Sequence, residues 1–166
     1  MAETVQTWRG LRLLRQPAWE CLASFILSST KRIVQIQQVI AAVCERFGDP
    51  IPSLDSAPVA YSFPSAERLA TVSEKALRNC KMGFRAPYLL QAAQAVASRQ
   101  IDLENLRNLR VERAREELMR LPGVGRKIAD CVLLFGCGFP TSFPVDVWIT
   151  KALRELYFPR KRPGER

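Results

Sequence analysis

The stretch LPGVGRKIADCV, residues 121–132, decides how the chain folds. Gly123 and Gly125 mark a loop that opens a helix at about Arg126. That helix then begins with two cations, Arg126 and Lys127. A helix start carries partial positive charge and unsatisfied N–H groups, so it favours Asp, Glu or a bound anion. Either this is an ordinary surface helix with poor electrostatics, or something negative is meant to arrive.

Upstream of this stretch, residues 111–120 form a charged amphipathic helix that stops at Leu121-Pro122-Gly123. Downstream, the Arg126 helix runs to about Gly136, and another starts at Pro144-Val145-Asp146, with Asp146 as N-cap, and continues to about Tyr157. Nearer the N-terminus, Pro17 starts a helix through Trp19, Leu22, Phe25 and Ile26 toward Ser28 and Ser29. Ile33, Ile36, Val39, Ile40, Val43 and Phe47 keep helical spacing up to the Gly48 stop. Residues 49–64, with four prolines, read as a crossing loop. Short helices follow from Ser65 to Ala70, over about 73–79, and from Asp102 to about Leu106. A longer one spans about 85–98, beyond Met82-Gly83-Phe84-Arg85. No alternating strand pattern exceeds a few residues, so the chain is all-α. A core over 1–158, with the hairpin at about 111–136, is followed by a basic tail at 159–166.

The 166 residues suffice for one domain, or for two small lobes of one helical unit, and 48% are hydrophobic. Lys and Arg number 25 against 16 Asp and Glu, a formal charge of +9. Such a surplus points to a polyanionic partner, nucleic acid first, although many basic proteins use charge only for solubility. Histidine is absent, which removes Ser–His and Cys–His nucleophile pairs and His-based metal sites. Five scattered cysteines without C-x-x-C spacing argue against a zinc or iron–sulfur site and for reduced thiols in an intracellular protein. No apolar run reaches the ~20 residues of a membrane span, and MAETVQTWRG has no apolar signal-peptide core. The expected setting is the cytoplasm or nucleoid of a prokaryote, or the nucleus of a eukaryote, with no membrane partner.

Helix, Leu-Pro-Gly-Val-Gly, helix is the helix–hairpin–helix pattern. Its glycines permit unusual backbone conformations and let a phosphate approach the main chain. The amides of Gly123, Gly125 and Ile128 would then hold a DNA phosphate at the helix start, without reading sequence. The carbonyls of Met119, Leu121 and Val124 would offer a seat for a structural monovalent or divalent cation, and no cofactor is required. The plainer alternative is a glycine-containing turn between two helices.

GVGRKIADC (123–131) followed by FPVDVW (143–148) resembles the helix–hairpin–helix superfamily of base-excision DNA glycosylases. GLRLLRQPAWECLASFILSS (10–29), FPSAERLA (63–70) and MGFRAPYL (82–89) resemble its 8-oxoguanine glycosylase branch. The resemblance implies a bifunctional enzyme acting as a monomer on double-stranded DNA containing a damaged base or abasic site. Lys127 would attack the sugar C1′ of a flipped nucleotide, expel the base and form a Schiff base from which β-elimination nicks the strand. Only a neutral amine can attack, and a helix start, Arg126 and partial burial all work against a proton on Lys127. Asp146 would stabilise the cationic sugar, a role compatible with capping its helix. A phosphate-binding Lys127 is the alternative.

The same resemblance makes Phe84 the aromatic wedge beside an extruded base and Arg85 the contact to the orphaned cytosine. The alternatives are a core phenylalanine and a solvated arginine. Cys131, one turn after Lys127, faces the same pocket or is an ordinary buried thiol. Arg126 adds a phosphate contact. Two positions depart from the family. Thr30 stands where an asparagine usually enters the vacated stack, with Lys31 and Arg32 beside it as phosphate contacts, and Trp148 replaces a phosphate-binding histidine of animal members. The expected fold is the family's helical core alone, without the N-terminal β-rich domain and C-terminal helices that serve base recognition in the family. A minimal enzyme, a fragment, a non-catalytic DNA-binding module and an abasic-site lyase with little base excision therefore all remain open.

Overall fold

The computed structural model describes residues 6–7, 9–29, 32–52 and 59–158. Thr30, Lys31 and the 159–166 tail lie outside the described residues.

Helix α1 (Ala18–Ser28) starts where Pro17 leaves extended backbone, and the Cys21 N–H donates to the Pro17 carbonyl at 2.9 Å. Helix α2 (Ile33–Phe47) stops at Gly48, whose N–H donates back to the Cys44 carbonyl at 2.8 Å. The expected crossing loop contains a feature that periodicity does not reveal. Strands β1 (Pro50–Ile51) and β2 (Ala60–Tyr61) pair antiparallel, with Pro50 opposite Tyr61 and Ile51 opposite Ala60. Two residues are too few to show alternation.

Ser65 and Ser73 cap the short helices α3 (Ala66–Ala70) and α4 (Glu74–Arg78) by accepting from Arg68 N and Ala76 N. A 3₁₀ turn (Gly83–Arg85) leads into α5 (Ala86–Ala97). Asp102 Oδ1 accepts from the amides of Glu104 and Asn105, so the short helix expected there is a capped 3₁₀ turn at Asn105–Asn108. Helix α6 (Val111–Met119), the Leu121–Gly125 hairpin and α7 (Arg126–Cys131) form the expected helix–hairpin–helix unit. The helix continues past Cys131 as a π-helical turn (Val132–Cys137), ended by left-handed Gly138. Helix α8 (Val147–Leu156) follows the Asp146 cap.

Two apolar clusters make the core, and α1 and α5 contribute to both. Cys21, Leu22 and Ile26 of α1 and Ala92 of α5 join Leu118, Leu121, Val124, Ile128, Val132 and Leu133 of the hairpin unit. Ala23 and Leu27 of α1 and Leu89 of α5 join Val39, Val43, Leu69, Leu77 and Met82 of the other lobe. Burying such side chains contributes about 1.5–3 kcal/mol each, before chain entropy is set against it. The hairpin is thus an integral part of one core through Leu121 and Val124.

Candidate nucleic-acid interface and active site

The hairpin turns tightly because Leu121 N–H donates to the Leu118 carbonyl and Val124 N–H to the Leu121 carbonyl, each at 3.1 Å. Leu121 and Val124 are buried on its inner side. Gly123 takes φ +80°, and a Cβ there would lie 2.6 Å from Tyr88 Cδ2, so both conformation and packing require glycine. Gly125 differs from the sequence expectation. Its φ of −90° and ψ of 178° suit any residue, and a Cβ would meet nothing within 4 Å. The protein's own backbone does not require a glycine at 125; glycine there leaves the main chain bare toward solvent. The first helical bond is Ala129 N–H to the Gly125 carbonyl at 3.0 Å. Among the described residues, the amides of Gly123, Gly125 and Ile128 donate to no other backbone group. Three donors therefore stand at the rim of the hairpin, as an anion site requires.

Lys127 leaves this rim half-buried, its Nζ 5.1 Å from the centroid of the Phe25 ring. Phe25 stacks on Phe135, with centroids 6.0 Å apart and ring planes 15° apart, so α1 and the π turn floor the lysine site with aromatic surface. Nothing in the sequence alone singles out Phe25 beyond its place on the first apolar helix. Lys127 makes no ion pair among the described residues. Cys131 lies one turn beyond it and is buried. Burial pushes the Cys131 thiol up from its ordinary range, the Lys127 charge opposes this, and Asp130 and Asp146 add to it. Lys127 and Cys131, four residues apart, thus share one face of α7.

Asp146 caps α8. Its Oδ1 accepts from Ile149 N–H at 2.8 Å, and its carbonyl accepts from Thr150 N–H and Oγ1–H at 2.8 and 2.7 Å. The second carboxylate oxygen takes no hydrogen bond among the described residues, so capping leaves part of the carboxylate available.

Arg126 is exposed, and its Nε lies 3.8 Å from Asp130 Oδ2, one turn along α7. The awkward cation at the helix start is thus partly offset from within. Asp130 itself is 3% exposed, and Arg115 Nε sits 2.6 Å from its Oδ1. The sequence signal for this carboxylate is an Asp inside the apolar run IADCVLL, four residues after Arg126.

Phe84 is 55% exposed, edge-on to Tyr88 at 6.3 Å, and is not a core phenylalanine. Arg85 is only 4% exposed and is not a solvated arginine. Its guanidinium lies 4.3 Å from the Phe84 ring, donates to the Met82 carbonyl at 3.3 Å, and has its pKa lowered by burial. The turn before α5 folds this arginine inward beneath Phe84, which neither the expected cytosine contact nor the solvated alternative foresaw. Trp148 stands 72% exposed on the first turn of α8. Among the described residues, no group of His, Cys, Asp and Glu is arranged to hold a metal ion, and no helix is long and apolar enough to cross a membrane.

Residues 23–166 match the family model of the HhH-GPD superfamily base excision DNA repair proteins. The chain belongs to this superfamily. Among HhH-GPD proteins it is 35% identical to the N-glycosylase/DNA lyase of Saccharomyces cerevisiae over 161 residues, covering 90% of this chain and 42% of that protein. It is 34% identical to the N-glycosylase/DNA lyase OGG1 of Arabidopsis thaliana, over 88% of this chain and 41% of the relative. The HhH-GPD fold superposes on the Clostridium acetobutylicum 8-oxoguanine glycosylase/lyase, crystallised with double-stranded DNA containing cytosine opposite 8-oxoguanine. The TM-score is 0.87 at 34% identity, over 97% of this chain and 55% of that one. The chain thus spans about half the length, or less, of the relatives it matches.

Proposed function

We propose that this HhH-GPD chain is a base-excision repair enzyme, a bifunctional DNA glycosylase that removes 8-oxoguanine from double-stranded DNA and nicks the abasic site. The observation that carries the reading is a half-buried Lys127, its Nζ 5.1 Å from the Phe25 ring, on the helix that opens from a hairpin whose Gly123, Gly125 and Ile128 amides donate to no other backbone group. The names of the relatives and of the superposed structure supply the substrate class. The activity belongs inside the cell, where damaged DNA is.

In this reading the amides of Gly123, Gly125 and Ile128 hold a phosphate, and Arg126 adds charge at the surface. Phe84 fills the stack beside an extruded nucleotide, and Thr30 and Arg85 are the residues assigned to the opposite base, Arg85 having to leave its buried place beneath Phe84 to reach it. The neutral amine of Lys127 attacks C1′, the N–C bond forms, and the glycosidic bond breaks with its electrons leaving on the base. The carboxylate of Asp146 stabilises the positive charge that develops on the sugar. Loss of the amine proton and opening of the sugar ring give the imine. β-Elimination then removes a 2′ proton and expels the 3′ phosphate, and water releases Lys127.

The candidate seat of a structural cation is the set of hairpin carbonyls. Met119 closes α6, where helix carbonyls run out of partners, and the Leu121 carbonyl keeps a second lone pair after accepting from Val124. Met119, Leu121 and Val124 would hold the ion and stiffen the turn, and no chemical step depends on it.

The test is a comparison of two labelled duplexes, one with 8-oxoguanine opposite cytosine and one with a preformed abasic site. Nicking of both is expected. Nicking of the abasic duplex alone reduces the activity to that of a lyase, and binding without nicking of either contradicts the enzyme reading.

A further inference from the structure

Asp146 sits on a segment with few means of staying in place. Helix α8 contains no buried residue. Of residues 139–146, which carry the chain from the π turn to the Asp146 cap, only Ser142 is buried, at 2% exposure. Phe143 and Val145, the apolar residues flanking Pro144, are exposed. Phe139 packs on the core and its N–H donates to the Leu133 carbonyl at 2.9 Å, so beyond it, over residues 140–146, the buried attachment is the Ser142 side chain.

That side chain is tied to the lysine helix. Ser142 Oγ lies 2.9 Å from Asp130 Oδ1 and 3.2 Å from the Asp130 carbonyl, and its amide donates to the Phe139 carbonyl at 3.1 Å. Asp130 is three residues after Lys127 on α7. Its carboxylate is fixed by Arg115 of α6 at 2.6 Å, with Arg126 at 3.8 Å on the other oxygen. A hydrogen bond to a buried, charge-paired carboxylate is among the stronger ones a serine can make. The buried ion pair is a weak source of net stability, so a role in fixing geometry accounts for it better than a role in holding the fold together.

We propose that Asp130 and Ser142 are positioning residues, a tether that holds the Asp146 segment in register with the Lys127 helix. Arg115 fixes the carboxylate, the carboxylate fixes Ser142, and Ser142 sets where the chain enters the Asp146 cap four residues later. The catalytic consequence rests on the lyase reading above, whereas the tether itself does not.

The experiment compares the wild-type chain with Ser142→Ala and with Ser142→Thr, which keeps the hydroxyl. Hydrogen–deuterium exchange reads the tether without reference to chemistry. In Ser142→Ala, exchange over residues 143–150 should speed by about tenfold, the factor expected when one hydrogen bond to a charged group leaves a local opening equilibrium. Amides of α1 and α5 should keep wild-type rates, and Ser142→Thr should behave as wild type. On an abasic duplex, borohydride trapping by Ser142→Ala should slow by about tenfold to a hundredfold, as misplacement of a reacting group does, at unchanged duplex affinity. Unchanged exchange over 143–150 overturns the proposal. So does faster exchange with wild-type trapping, or a parallel loss of binding and trapping. If the wild-type chain traps nothing, the lyase reading fails, and the exchange measurement still decides the tether.

Discussion

Arg115 and Asp130, fifteen residues apart, meet at 2.6 Å and bind the two helices of the hairpin to each other through a side chain that is almost wholly buried. Removing one member leaves the other charge buried without compensation. Arg115→Met is expected to destabilise the fold by about 3–5 kcal/mol, read as a lower urea midpoint at unchanged slope. Adding Asp130→Asn to the same chain should recover part of that loss, because the uncompensated charge disappears. Equal losses in the single and double variants would show that packing, and not charge pairing, sets the cost.

The two hairpin glycines should separate cleanly. Gly123→Ala forces a left-handed conformation on a residue with a Cβ and drives that Cβ into Tyr88, so a loss of about 1–2 kcal/mol from the backbone alone is expected. Gly125→Ala meets open space at an ordinary φ and should leave stability within about 0.5 kcal/mol. If its bare main chain serves a phosphate, the same change should weaken duplex binding by about tenfold. Thermal melts and a salt titration of binding distinguish the pair. Unaltered binding by Gly125→Ala would remove the phosphate from this rim.

Phe84 is exposed, so Phe84→Ala should move stability by no more than about 0.5 kcal/mol. As the wedge beside an extruded base, its removal should slow 8-oxoguanine excision by about tenfold or more and spare nicking of a preformed abasic site. Equal effects on both substrates would point to general DNA binding instead.

Alkaline stability follows from the buried thiols. Burial pushes Cys21 up to about 12 and Cys137 up to about 11 from an ordinary 9.0. Both stay protonated in the folded chain while the unfolded chain begins to ionise near 9. The unfolded state thus binds fewer protons above that pH, and stability falls as pH rises from about 9 through the folded values. Melting temperatures taken between pH 8 and 11 should decline accordingly, and Cys21→Ala should flatten the decline. A profile indifferent to that substitution would assign the pH dependence to other groups.

Much of this was legible in the residues. Apolar spacing locates α1, α2, α5 and α6, and Ser65, Ser73 and Asp146 cap the helices that begin beside them, because caps and periodicity are local. Leu-Pro-Gly-Val-Gly was enough to locate the hairpin and the helix that carries Lys127, and Asp146, nineteen residues on, to locate the start of α8. What escaped depends on contacts far apart in sequence. Nothing near Asp130 announces Arg115 or Ser142, and nothing near Lys127 announces Phe25. Arg85 has a surface composition, yet its turn folds it inward. The π turn after Cys131 has the same apolar spacing as an α-helix, so periodicity cannot separate the two.

The central claim is that the Lys127 amine forms a covalent bond to the sugar. Borohydride reduction during incubation with an abasic duplex tests it most directly, with the cross-linked peptide located by mass spectrometry. Wild type should give a DNA–protein adduct at Lys127, and Lys127→Gln should give none while still binding duplex. Adduct formation by Lys127→Gln at the wild-type level, or no adduct from the wild-type chain, would contradict the account.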